Sequence, residues 1–111
     1  MKREINGTTI YGIALDTNSR CFHYQQPNDI ISIRFFCCGD YYCCFKCHEK
    51  LAHHKAEQWP KEMFNHKAIL CGSCGTHITV HDYLESGYLC PSCNASFNPG
   101  CRNHYHLYFQ Q

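Results

Sequence analysis

The chain is predicted to be a small zinc-stabilised α+β protein, with short strands, one helix and a C-terminal, zinc-ribbon-like pair of cysteine knuckles. Three observations carry this prediction. Eleven cysteines and nine histidines occur in 111 residues. They cluster, because five of the cysteines and three of the histidines lie between Cys37 and His54, and two Cys-x-x-Cys pairs follow at Cys71/Cys74 and Cys90/Cys93. Ordinary core formers are scarce, with a single valine at Val80. Thiolates and imidazoles at short spacing are what tetrahedral zinc requires. A disulfide framework would leave one of the 11 cysteines unpaired and give the histidines no purpose. Zinc then supplies what the core cannot: about 10 kcal/mol per site in finger peptides, comparable to the stability of a whole domain. The metal-free chain is expected to unfold.

Residues 1–20 form an N-terminal strand segment. An Asn6-Gly7 turn signal precedes Thr8–Leu15, which is rich in strand formers, and Asp16-Thr17-Asn18-Ser19 is a turn. In Cys21-Phe22-His23-Tyr24, side-chain alternation along an extended segment puts Cys21 and His23 on one face, where both can reach one metal. Asp29–Phe36 reads as a second strand, with Ile31, Ile33 and Phe35 on one face and Ser32 and Arg34 on the other. It delivers Cys37-Cys38 to the central cluster, where Cys44-x-x-Cys47 is a knuckle that turns two sulfurs toward one ion. More ligands are present than one ion can use, so two metals share this stretch, and residues 21–59 read as a two-zinc unit.

From Phe45 to Trp59 there is neither glycine nor proline, and this is the one expected helix. Successive residues diverge by about 100° around a helix, so Cys47 and His48 can serve different ions. His48 and His54 are six apart, which is not a same-face spacing. Either the helix bends there or one of the two is not a ligand. Residues 60–66 read as a linker.

Residues 67–109 form the zinc-ribbon-like unit. Fifteen residues separate Cys74 from Cys90, which matches the spacing of two Cys-x-x-Cys knuckles around one zinc; iron is held by four-cysteine sets too. Gly72, Gly75 and Asn94 suit the backbone angles that such knuckles demand. Thr76–Leu84 and Tyr88-Leu89 read as strands around a Glu85-Ser86-Gly87 turn. The aromatic tail after Pro99-Gly100 is expected to pack back on the ribbon. Cys101-x-x-His104 offers half of a fourth zinc site, which His77, His81 or Cys43 would complete.

These residues carry a resemblance. Cys21-x-His23-Tyr24, Cys37-Cys38, Cys44-x-x-Cys47-His48, His54, Cys71-x-x-Cys74 and Cys90-x-x-Cys93 together resemble the CHY zinc finger, named for its Cys-His-Tyr triplet. The chain is most similar to small stand-alone members without a RING domain, which include bacterial proteins of unassigned role and a mitochondrial helper of protein assembly. The resemblance implies three zinc ions. The first would be held by Cys21, His23, Cys44 and Cys47, the second by Cys37, Cys38, His48 and His54, and the third by Cys71, Cys74, Cys90 and Cys93. Cys43, Cys101 and His104 fall outside the pattern.

Formal net charge is +1 with neutral histidines, and zinc thiolates would move it negative. That is no electrostatic footprint for nucleic acid, and His104 and His106 are too close together for a groove-reading finger. No apolar run follows the charged start that would make a leader or a membrane span. Reduced, metal-bound cysteines suit a cytoplasmic location, and a monomer is expected. The expected function is non-enzymatic: three structural zinc sites present a surface to a protein partner, with Tyr41, Tyr42, Trp59 and Phe64 as the candidate patch. The alternative is zinc or thiol-redox handling that assists metallation or oxidative assembly of clients, with Cys43 and Cys101 as reactive thiols. Hydrolysis would need an open zinc position and a working acid or base near it, and Asp40 and Glu49 read instead as solvated charges beside the cluster.

Overall fold

The sheet curls until its last strand in spatial order touches its second. In the computed structural model, which describes residues 2–5, 7–13, 15–16, 20–21, 23–24, 28–98 and 105–110, six short strands form one sheet. They are β1 (Lys2–Ile5), β2 (Thr8–Tyr11), β3 (Ile31–Arg34), β4 (Tyr41–Tyr42), β5 (Lys67–Cys71) and β6 (His77–Thr79), in spatial order β1-β2-β4-β3-β5-β6. Only β2 and β4 pair in parallel; the other neighbours are antiparallel. Three strands intervene between β2 and β6, so a flat sheet would hold them roughly 19 Å apart at about 4.8 Å per strand. Thr8 Oγ1 instead lies 2.9 Å from His77 Nε2, so the sheet is strongly curled.

Gly7, at φ 81°, closes the β1–β2 hairpin at the expected Asn6-Gly7 signal. The expected strand over Thr8–Leu15 stops at Tyr11. The chain leaves the ladder at Gly12, where a Cβ would meet Cys43 Sγ at 2.5 Å. In β3, Ile31 and Ile33 face the main core as expected, and Phe35 joins them just beyond the strand. Ser32, on the opposite face, is also fully buried. The curl gives that face a second small core of Ile10, Tyr41 and Leu70.

The helix expected over Phe45–Trp59 is α1 (Phe45–Leu51), and the described residues hold two further short helices, α2 (Val80–Glu85) and α3 (Tyr105–Tyr108), with a 3-10 turn at Lys61–Met63. Helix α1 is half the predicted length; its C-cap Ala52 is extended. The predicted strand over Thr76–Leu84 becomes a helix after Thr79, whose side-chain oxygen accepts from the Asp82 amide at 3.0 Å. A threonine in that position favours the start of a helix. Tyr88-Leu89 contributes only an isolated bridge between Leu89 and Ser96.

The tail reaches beyond the ribbon. Tyr105 and Phe109 pack on Tyr83, at 5.7 and 6.4 Å between ring centroids. The Tyr108 hydroxyl accepts from the Phe45 amide at the start of α1, and Phe109 forms a parallel bridge with Trp59. The aromatics expected to form a docking patch are core instead. Trp59 and Tyr42, in the main core, are 3% and 6% exposed, Tyr41, in the second, is 8% exposed, and Phe64 packs half-buried against the main core. The curled sheet covers both faces of the residues that alternation alone would have put outside.

Candidate metal centres

Three groups of four Cys/His ligands converge, and within each group all the ligand atoms lie within 4.8 Å of one another. They are Cys21, His23, Cys44 and Cys47; Cys37, Cys38, His48 and His54; and Cys71, Cys74, Cys90 and Cys93. Cys101 and His104 lie outside the described residues, so the structure says nothing of a fourth site there.

Each group is assembled by local backbone chemistry. In the first, Cys44 is the N-cap of α1 and its sulfur accepts from the Cys47 amide at 3.4 Å, so Cys44-x-x-Cys47 wraps the first turn of the helix. Cys21 and His23 come from a tight turn, not an extended segment. The Cys21 amide donates to the Tyr24 carbonyl and the Tyr24 amide to the Cys21 carbonyl. The Ile13 amide donates to Cys47 Sγ at 3.4 Å, a contact that sequence spacing does not announce.

In the second group, Cys37 and Cys38 lie in the turn between β3 and β4. His48 is buried in α1, stacked on Phe35 at 4.1 Å. The spacing conflict between His48 and His54 is resolved by the end of α1 at Leu51. The chain turns back, and the two Nε2 atoms lie 3.2 Å apart. Burial, with His54 adding to it, pushes His48 below the usual histidine range and keeps it in the neutral, ligating form.

In the third group the two knuckles have one geometry. The Gly75 amide donates to the Cys71 carbonyl and the Cys71 amide to the Thr76 carbonyl, while Asn94, Cys90 and Ala95 repeat the pattern. Gly75 and Asn94 have positive φ, 76° and 61°. Gly72 is not among the positive-φ residues. Against the effect of burial, hydrogen bonds from Thr76 bring Cys74 down to about 6.

The donor spacing fits zinc. With Zn–S about 2.3 Å and Zn–N about 2.0 Å, the edges of a tetrahedron are about 3.8 Å between sulfurs, about 3.5 Å from sulfur to nitrogen and about 3.3 Å between nitrogens. The sulfur pairs Cys21/Cys44, Cys37/Cys38, Cys71/Cys93 and Cys74/Cys90 are at 3.7, 3.9, 3.8 and 3.7 Å. His23 Nδ1 lies 3.5 Å from Cys44 Sγ and 3.4 Å from Cys47 Sγ, and Cys37 Sγ is 3.4 Å from His48 Nε2. The His48/His54 separation matches a nitrogen–nitrogen edge. Cys43 does not: its sulfur is 3.2 Å from Cys47 Sγ, too close for two ligands of one undistorted tetrahedron.

Charge is unevenly shared in the first group. Hydrogen bonds from Cys43, then Cys44 and Cys47, hold Cys21 far below the usual thiol range. The same bond to Cys21, then those to Cys44 and Cys47, together with burial, push Cys43 up. Within this set of sulfurs a proton therefore favours Cys43 over Cys21.

Comparison with known proteins agrees with this geometry. The family model of the CHY zinc finger matches residues 21–99. The chain belongs to the CHY zinc finger family. Among similar proteins, Helper of Tim protein 13 of Saccharomyces cerevisiae is 46% identical over 106 residues, which cover 93% of this chain and 91% of that protein. The Helper of Tim protein 13 of Kluyveromyces lactis is 39% identical over 102 residues, 92% and 89% of the two chains. An uncharacterized protein of Schizosaccharomyces pombe is 37% identical over 105 residues, 95% and 92% of the two. This CHY zinc finger is a zinc-binding protein, and its three Cys/His groups fit three zinc ions. Among the described residues no helix is long and apolar enough to cross a membrane.

Proposed function

We propose that this CHY zinc finger is a non-enzymatic assembly helper, whose three zinc ions hold a rigid scaffold that engages a client protein. The convergence of the three four-ligand groups supports the reading, with Cys21, His23, Cys44 and Cys47 on the first ion, Cys37, Cys38, His48 and His54 on the second, and Cys71, Cys74, Cys90 and Cys93 on the third. Four protein ligands fill a tetrahedral zinc, which is the mark of structural sites, whereas catalytic sites keep a position open. Asp40 and Glu49, the nearest candidates for acid–base work, are exposed to solvent.

The relatives named Helper of Tim protein 13 point to Tim proteins as the client class. On this reading the protein works in mitochondria, where the family resemblance leads, and not in the cytoplasm that its reduced cysteines alone would suggest. Zinc or thiol handling is the second reading. It is favoured by the exposure of Cys74 and Cys93 in the third group, where an incoming thiol has access to the ion.

Titration of the zinc-loaded protein into a purified, reduced Tim protein tests both. The scaffold reading expects association that is lost when zinc is chelated, with the zinc content of the helper unchanged after separation. Zinc or oxidised thiols appearing on the client would establish handling. Absence of association would overturn both readings.

A further inference from the structure

Cys43 belongs to none of the three groups, yet its sulfur is directed into the first. It is buried, and lies 3.2 Å from Cys47 Sγ. Its thiol donates to Cys47 Sγ, a sulfur of that group. Its position is provided for by the fold: the Cys43 amide donates to the Tyr11 carbonyl at 3.1 Å, and the bare Cα of Gly12 leaves room for the sulfur. The other member of the group, His23, comes from a half-buried turn, whereas Cys43 is fixed between β4 and α1.

We propose that Cys43 is a reserve ligand of the first centre, able to replace His23 and convert a three-cysteine, one-histidine site into a four-cysteine site. The 3.2 Å separation from Cys47 must open by only about half an ångström to reach the sulfur–sulfur edge of a zinc tetrahedron. In the exchange the bond from His23 Nδ1 to the metal breaks and one from Cys43 Sγ forms. Cys43 binds as a thiolate, so its proton leaves, and the released imidazole is a base that can take it. Total charge is then conserved. A centre with five candidate ligands can pass its ion between two ligand sets without ever holding fewer than three protein ligands. The proposal stands on the three-zinc assignment alone and is independent of any client.

Metal content by elemental analysis, with cobalt(II) substituted for zinc as a spectroscopic probe, tests it. Wild type must first carry three ions per chain; fewer would refute the ligand assignment itself and not this proposal alone. His23→Ala is expected to retain all three, with more intense thiolate-to-cobalt absorption because one more sulfur is bound. The double variant His23→Ala/Cys43→Ala is expected to lose one ion. Loss of an ion in His23→Ala alone, or the same ion count in His23→Ala and the double variant, would overturn the proposal. Should His23→Ala fail to fold, Cys43→Ala decides: removing the reserve ligand should slow metal exchange at the first centre severalfold in a chelator assay, and an unchanged rate would refute it.

Discussion

Gly12 lacks a side chain where Cys43 occupies the space that one would need. An added Cβ would stand 2.5 Å from Cys43 Sγ and 2.9 Å from Leu15 Cδ2, inside contact distance of two groups that the core confines. Gly12→Ala should therefore destabilise the zinc-loaded protein by about 1–3 kcal/mol, the range for overpacking a filled core, read as a lower midpoint in urea. His53 and His54 are adjacent and both exposed, but only His54 joins Cys37, Cys38 and His48. His54→Ala should remove one ion per chain and His53→Ala none, by elemental analysis; the reverse pattern would relocate the second centre.

One turn recurs at three places. The Phe35–Asp40, Cys71–Thr76 and Cys90–Ala95 segments each close by an amide at the fifth residue donating to the carbonyl of the first, and the first amide donating to the carbonyl of the sixth. Gly39, Gly75 and Asn94 occupy the fifth position, all with positive φ. In the first copy Phe35 stands where the other two have a cysteine, so its ligands come from inside the turn, as Cys37 and Cys38. Left-handed backbone costs a side-chain-bearing residue about 1–2 kcal/mol, and asparagine tolerates it better than most. Gly75→Ala should thus be destabilised by roughly that amount in urea unfolding, and Asn94→Ala by less.

The Cys-x-x-Cys knuckles were legible because ligand and turn are encoded in the same six residues. The early end of α1 was not. Ala52–Gln58 has nothing in its composition to break a helix, and what ends it is the return of His54 to His48, a demand made across space. The start of α2 was there to be read in Thr79 and Asp82, a local capping signal outvoted by the strand-forming Ile78, Thr79 and Val80. Burial of Tyr41 and Tyr42 depends on the curl of the sheet, which no single strand reveals.

At the scale of the molecule, His77 links β6 back to the first half of the sheet, through Nε2 to Thr8 and through Nδ1 to the Tyr41 hydroxyl at 2.8 Å. Burial, then the charges of Lys67 and Arg34, push it below its ordinary value of 6.5. The folded state thus prefers neutral His77. Its contribution is fully present above the unfolded value of 6.5 and is lost as pH falls below it toward the folded one. The zinc-loaded wild type should lose stability relative to His77→Gln as pH is lowered from 7 to about 5, and parallel stability profiles would refute this. The first two centres interleave along the chain, and the tail spans α1, Trp59 and the ribbon, so release of any one ion loosens more than its own loop.

Trp59, the only tryptophan in the sequence, records that coupling. Its indole N–H donates to the Arg34 carbonyl at 2.7 Å, its amide donates to the Tyr108 carbonyl, and its ring packs on Phe36. Its fluorescence therefore reports on strand, tail and second-centre loop at once. Stepwise chelation should shift its emission to the red as the indole becomes hydrated, and a spectrum unmoved by complete zinc removal would mean that this junction persists without metal. The protein carries its own optical gauge of metal loading, with no label required.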